Sequence, residues 1–312
     1  VNGGLGAPRL GAPPDGRLGT HLGALVVVVV AMGCGGAVTG ARSAADVAPG
    51  PIRCATGERL EDAALDELLL AARVIYVGES HDDAAHHAVQ REVIARVHAR
   101  DPSLAIGMEM FQRPFQAPLD AFVAGTLDEA GMLAATEWAE RWRLDVALYR
   151  PILDFARAHR VPLVALNARR EVTRGIARGG EESLAPELRA EIPPDMVRDD
   201  PEHRAMVIGL FGEHHAESMG PERLERMLLA QLVWDETMGL TVAETLAREG
   251  APTRLVVLAG RAHVQGGLGI PRRAARRGAS PFLVVLPVRG DELEQARPLC
   301  DVAWVVESRP SS

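Results

Sequence analysis

The stretch Arg73-Val-Ile-Tyr-Val-Gly-Glu-Ser-His-Asp-Asp83 runs from a short apolar segment straight into a glutamate, a histidine and two aspartates. β-Branched and aromatic residues fill Val74 to Val77, as a buried strand requires, and Gly78 marks its end. From Asp82 to Arg100 the period changes. Val89, Val93, Ile94 and Val97 recur at helical spacing, with Gln90, Arg91, Glu92 and Arg96 on the other side, so an amphipathic helix follows. Glu79 and His81 therefore sit at a strand-to-helix junction. In open α/β sheets this is the carboxyl edge, where side chains converge above the sheet and ligands bind.

The same grammar returns late in the chain. Arg254-Leu-Val-Val-Leu-Ala-Gly260 is a second buried-strand run and empties into Gly260-Arg-Ala-His263, so two strands end in Gly-x-x-His. Between them, Leu104-Ala-Ile-Gly-Met-Glu-Met-Phe111 reads as a third strand carrying Glu109. As parallel neighbours, the three would gather Glu79, His81, Glu109 and His263 on one edge. Two imidazoles and two carboxylates suit a divalent transition metal or a general acid and base pair. The N-terminus of the following helix would disfavour the protonated form of His81 and leave a neutral ring able to ligate.

The chain has 312 residues, enough for one large α/β core and a smaller appendage. Its formal net charge of −8, pI near 5.7 and 4% aromatic content argue against a nucleic-acid partner, because neither a basic surface nor stacking platforms are plentiful. No Gly-x-Gly-x-x-Gly follows a strand, so a dinucleotide fold of the usual kind is not indicated.

The amino end reads as targeting. Arg9 and Arg17 precede an apolar run from Leu22 to Met32, which suits a signal-peptide core. The run closes on Ala31-Met-Gly-Cys34, small residues before a cysteine that resemble the lipobox of bacterial lipoproteins, in which the cysteine is acylated. The expected organisation is a signal peptide over 1–33, a lipidated Cys34 and flexible tether over 34–57, and an α/β domain over 58–308. An oxidising compartment would permit a bridge between Cys54 and Cys300; two unrelated buried thiols is the alternative.

A first helix spans Glu58 to Ala72. After Pro114 the pattern is helical through Pro118–Ala124, Leu127–Trp138 and Tyr149–Arg157, and then Val161–Leu166 forms a strand ending at Asn167, either an ordinary turn residue or a further group on the edge. From 171 to 220 the α/β rhythm breaks at Gly179-Gly180, Pro193-Pro194 and Asp199-Asp-Pro201. This reads as a small helical cap over the edge, carrying His203, His214 and His215. Pro221–Glu249 is the longest helix. The run Pro271-Arg-Arg-Ala-Ala-Arg-Arg277 reads as a solvated helix face, with an anion site as the alternative. His86, His87 and His98 read as surface or boundary residues. Two final strands lie at Ser280–Pro287 and Val302–Val306.

With Gly78-Glu-Ser-His81, Gly107-Met-Glu-Met-Phe111, Tyr149-Arg-Pro-Ile-Leu153, Pro162-Leu-Val-Ala-Leu-Asn-Ala168, Gln231-Leu-Val-Trp-Asp-Glu-Thr-Met238 and Gly260-Arg-Ala-His-Val264 in order, the chain resembles the ChaN family of haem-binding uptake lipoproteins in the Tiki superfamily. The resemblance covers roughly residues 60 to 290. It implies a mostly parallel sheet flanked by helices with a small helical subdomain, and haem binding in iron acquisition at the outer membrane. A homodimer and an outer-membrane haem receptor would be its partners. Haem needs an apolar slot, an axial donor and cations for its propionates. His214, His215, Tyr149 and Arg272 are the candidates outside the edge, although Tyr149 and Tyr76 also suit plain structural roles. Other branches of the superfamily, including erythromycin esterases, are hydrolases. That alternative would use Glu79, His81, Glu109 and His263, with a bound divalent metal or a side-chain base activating water.

Overall fold

The computed structural model describes residues 47–307 except 213–215 and 217. The signal segment, Cys34, His214 and His215 lie outside the described residues. The chain begins with strand β1 (Gly50–Arg53), helix α1 (Asp62–Ala71), β2 (Val74–Glu79), α2 (Ala84–Arg100) and β3 (Leu104–Gln112). Four helices follow: α3 (Gln116–Ala124), α4 (Glu129–Ala135), α5 (Trp138–Arg141) and α6 (Arg150–His159). Then come β4 (Leu163–Asn167), α7 (Arg170–Gly179), α8 (Pro186–Arg189), α9 (Pro201–Phe211) and the long α10 (Pro221–Ala247). The chain returns through β5 (Arg254–Gly260), α11 (Arg261–Val264), α12 (Ile270–Arg276), β6 (Phe282–Val288), α13 (Leu293–Ala296) and β7 (Val302–Val305).

The seven strands form one sheet in the order β1-β7-β6-β2-β5-β3-β4, parallel throughout except for β1 against β7. Every residue of β2 is buried, as a central parallel strand covered on both faces must be. Its side chains alternate between two cores. Ile75 and Val77 pack with Leu65 and Leu69 of α1 and with Val93 and Ile94 of α2. Val74 and Tyr76 pack with Met238, Val242 and Leu246 of α10 and with Ile270 and Ala274 of α12. The α/β architecture expected from the strand and helix periods is therefore the one observed. The parallel register pairs Glu79 with Gly260 and Met108 with Leu258, which aligns the carboxyl ends of β2, β5 and β3.

The described part of 171–220 carries α7, α8 and α9, joined by irregular chain. Val172, Ile176, Leu184 and Ile192 form a small separate core against Ala230 and Val233 of α10. β1 falls within the stretch read as tether. Gly50-Pro-Ile-Arg53 is too short and too irregular for a period-2 signal, and its pairing with β7 supplies the order. Cys54 follows that strand directly, with its N–H donating to Asp301 O at 2.9 Å. Cys54 and Cys300 are neighbouring free thiols.

The arginine run on α12 is a solvated face only in part: Arg272 and Arg276 are exposed, but the other two are not. Arg273 is fully buried, where it donates to the carbonyls of Leu268 and Gly269 and pairs with Asp200. Arg276 and Arg277 pair with the buried Glu236 of α10 at 3.0 and 2.7 Å and also with Asp195. Arg272 pairs with Asp200 and Glu202. The run is therefore glue between α12, α10 and the cap, because buried carboxylates there need counter-charges. Close packing of α10 on α12 depends on Gly239. A Cβ at that position would lie 2.7 Å from Arg273 Cβ and 3.1 Å from Ala274 N. Gly239→Ala should therefore destabilise the fold by about 1–3 kcal/mol through overpacking. Gly209→Ala on α9, where nothing lies within 4 Å of the added carbon, should be neutral or mildly stabilising. Urea unfolding of both variants, read as a shift in midpoint, checks the contrast.

Candidate functional site

The edge defined by the carboxyl ends of β2, β5 and β3 collects the four residues singled out from the sequence. Glu79 ends β2 with its carboxylate buried, and three groups from three elements surround it. His81 Nδ1 lies 2.7 Å from Oε1, the Tyr149 hydroxyl donates to Oε1 at 3.1 Å, and His87 Nδ1 approaches Oε2 to 2.9 Å without hydrogen-bond alignment. Burial pushes the Glu79 carboxyl up, but the hydrogen bond with His81 and the charges of His87 and His81 outweigh it and bring it down to about 2.

His87 is thus a buried partner of Glu79 and not a surface residue. Its Nε2 also reaches His81 O at 3.1 Å, and its Nδ1 reaches Gln90 Oε1 at 3.0 Å. His86 is buried as well, with Nδ1 accepting from Ser80 N at 2.9 Å, so these two neighbouring histidines fasten α2 to the turn after β2. His98 remains at the boundary. The Tyr149 hydroxyl accepts from Trp142 Nε1 at 3.2 Å while donating to Glu79, and Tyr149 is fully buried. Burial and the Glu79 charge push its phenol up, so it holds the carboxylate and does not face the cavity.

A second cluster lies opposite. His263 is buried, with Nδ1 2.5 Å from Asp235 Oδ1 and Nε2 3.4 Å from Glu109 Oε1. Glu109 Oε2 accepts from Gly260 N at 2.7 Å. Asp235, wholly buried on α10, holds His203 of the cap through Oδ2 at 2.7 Å. Burial pushes the Asp235 carboxyl up, yet the charge and hydrogen bonds of His263 and His203 bring it to about 2. Burial alone would lower the His263 imidazole, but Glu109 and Asp235 raise it well above its usual value. Asp235 could be found in sequence only as a charged residue on the buried stripe of α10, which marks the stripe as polar without saying what it meets.

Between the clusters lies a cavity of about 340 Å³, open to solvent. Its walls are His81, Trp142, Leu144 and Trp234 with Glu109, Asn167 and His263 behind them, and Arg141, Arg170 and Arg174 also line it. The His81 side chain is 40% exposed. Glu79 fixes Nδ1, and Nε2 makes no hydrogen bond with a described residue. Asn167 donates Nδ2 to Glu109 O at 2.8 Å, while its buried Oδ1 has no partner among the described residues. Arg272, on α12, is absent from this wall.

Two expectations need correction here. Burial lowers the His81 imidazole, but Glu79 and Glu109 outweigh burial and raise it above its usual value, opposite to the effect expected of the helix terminus. Among the described residues, moreover, no group of three or more His, Cys, Asp or Glu side chains is arranged to hold a metal ion. In place of a cage, Glu79 and His81 form a hydrogen-bonded pair, and Glu109 accepts from Gly260 N while His263 approaches its other oxygen to 3.4 Å.

Residues 66–274 match the family described as haem-binding uptake, Tiki superfamily, ChaN. Among solved structures, ChaN of Campylobacter jejuni, solved with haem bound cofacially, aligns with a TM-score of 0.63 and 20% identity over 82% of this chain and 96% of its own. An erythromycin esterase mutant in its open conformation aligns at 0.45 and 12% identity over 77% of each chain. The type III effector HopBA1 aligns at 0.45 and 13% identity over 86% of this chain and all of its own. No curated protein matches the chain in sequence.

The His263 pairing gives a pH signature. Its folded value is raised, so its stabilisation is full below the unfolded value of about 6.5 and is lost as pH rises through the folded value. Asp235→Asn removes the closer of its two carboxylate partners. The urea midpoint of the wild type should fall as pH rises above about 6.5, and the variant should be less stable with a flatter dependence over the same window. An unchanged slope in the variant would show that Asp235 does not set the His263 charge.

Proposed function

The chain belongs to the ChaN family of haem-binding uptake proteins in the Tiki superfamily, and on that basis we propose that it binds haem in the cavity at the carboxyl edge of the sheet. The observation that carries this reading is the His81 ring. One nitrogen is fixed on the Glu79 carboxylate and the other makes no hydrogen bond among the described residues, on a wall shared with two indoles and three arginines. Haem requires an axial donor, an apolar slot and cations, and the residues present fit those needs. Bound haem would supply the iron that the uptake role delivers. Glu79 orients the ring and raises the basicity of its free nitrogen, as carboxylates behind metal-bound histidines do. His263 and Tyr149 are engaged by other protein groups and would not ligate.

The cavity is near the low end of the roughly 300–1,000 Å³ typical of small-molecule sites, so part of a porphyrin would remain at its mouth. A second copy could share that exposed part, and the cofacial haem of the Campylobacter jejuni protein supports a homodimer of this kind. The signal-like segment and Cys34 support export, acylation and anchoring at the outer membrane, with haem passed on from a membrane receptor. A second reading, a hydrolase using Glu79, His81, Glu109 and His263, draws support from the unpartnered Asn167 Oδ1 beside Glu109, which could accept from a bound water. Hydrolysis of chromogenic esters that Glu109→Gln abolishes would favour it.

Haemin titration of the full chain, followed by Soret absorbance, tests the first reading. The wild type should saturate at a fixed ratio with a sharpened band, His81→Ala should lose that band, and His263→Ala should keep it with reduced stability. Because the raised imidazole of His81 must shed a proton to ligate, the apparent affinity should strengthen as pH rises above about 6.5. A spectrum identical in wild type and His81→Ala would remove the iron from this wall. In cells, Cys34→Ser should abolish incorporation of labelled fatty acid and release the protein from the membrane fraction. Retention of label would refute acylation at Cys34.

A further inference from the structure

Three arginines border the cavity, and they differ in what holds them. Arg141 is engaged within the protein: it pairs with Glu137 at 2.7 Å and Glu171 at 3.1 Å and donates to Gln112 Oε1 at 2.8 Å. Arg170 and Arg174 are not so held. They stand four residues apart on α7, hence on the same face, and both line the cavity. Among the described residues neither forms an ion pair. The polar contact of Arg170 is with the Glu140 carbonyl, to which Arg143 also donates at 3.2 Å. Like charges at this spacing oppose the helix that carries them. Burial, and then the cations of Arg170, Arg143 and Arg178, lower Arg174 from its usual value. The neighbouring acid, Glu171, is already engaged by Arg141. A chain of net charge −8 has carboxylates to spare, and none of the described ones pairs with these guanidiniums at the border of the cavity.

We propose that Arg170 and Arg174, with Arg143 beside them, form a carboxylate-binding rim that selects ligands carrying free acid groups. The proposal rests on the haem reading, in which those groups are the two propionates. Guanidinium forks match carboxylates in bidentate geometry, so the rim fixes which edge of the ligand lies at the mouth. It also turns the i, i+4 repulsion on α7 into attraction once the ligand is bound. The rim accepts the acid edge of the ligand and so fixes its rotation in the cavity.

The test compares haemin with haemin dimethyl ester, whose carboxylates are blocked, on the full-length wild type and on the Arg170→Gln/Arg174→Gln double variant. Both residues lie at the surface of α7 outside the cores, and circular dichroism checks that the variant stays folded. The wild type should bind haemin at least about ten-fold tighter than the ester, equivalent to about 1.4 kcal/mol. The double variant should bind the two equally, with its ester affinity close to that of the wild type. Equal binding of haemin and ester by the wild type, or an undiminished preference in the variant, overturns the rim while leaving haem binding in place. Binding of neither ligand by the wild type overturns both. Raised salt should weaken haemin binding more than ester binding in the wild type, and a salt response that is the same for both ligands counts against the rim.

Discussion

A carboxylate buried at the end of a central strand is tolerable only when its charge is matched by groups close to it. Glu79 meets that condition with His81 from the turn after β2, His87 from α2 and Tyr149 from the start of α6. One charge therefore fixes three pieces of chain. His87 ties the first turns of α2 back over the strand end, and its ring meets that of Tyr149 with centroids 4.4 Å apart. Tyr149 in turn holds Trp142, and Trp142 packs edge-on against His81 at 4.8 Å. The wall of the cavity is thus built backwards from the carboxylate, and removing Glu79 would free the ring that faces the ligand together with the indole beside it.

Asp235 does the corresponding work on the other side. It joins His263, in the turn after β5, to His203 in the cap, so the cap is attached to the sheet edge through a buried ion-paired side chain as well as through the apolar contacts of Val172 and Ile176. The two clusters meet at Glu109, whose charge raises both His263 and His81. Protonation on one side therefore bears on protonation on the other. Such coupled groups titrate together and not as independent residues.

The strands and their convergence were legible because burial on both faces leaves near-continuous apolar runs, and because the Gly-x-x-His endings mark the edge. The parallel order that brings β2, β5 and β3 together followed from the alternation of strands and helices. What stayed hidden depends on distant partners. His87 has the sequence context of an exposed helical residue, and only Glu79, eight positions earlier, makes its burial tolerable. Asp235 carries no local signal of the two histidines it joins, one 32 residues before it and the other 28 after it. β1 exists because β7, some 250 residues away, offers it an edge. The arginines of α12 looked solvated because Glu236 and Asp200 are far from them in sequence.

The two Gly-x-x-His endings are alike in sequence and unlike in role, and their glycines explain how they fit together. A Cβ on Gly260 would lie 2.9 Å from His81 Cε1, so the glycine of the second ending makes room for the histidine of the first. A Cβ on Gly78 would lie 3.0 Å from Val264 Cγ2 and 3.2 Å from Arg261 Cα, so the glycine of the first makes room for the turn of the second. Adjacent parallel strands bring both turns to one level, and two side chains at those points would drive them apart. Once interlocked, the turns share what lies nearby unequally. Gly260 N engages Glu109, and Glu109 and Asp235 then enclose His263 from both sides. His81 receives a single carboxylate on one nitrogen and keeps the other at the cavity. The difference between a sealed imidazole and an available one therefore arises from the register of β2 on β5, which decides the neighbours each histidine meets.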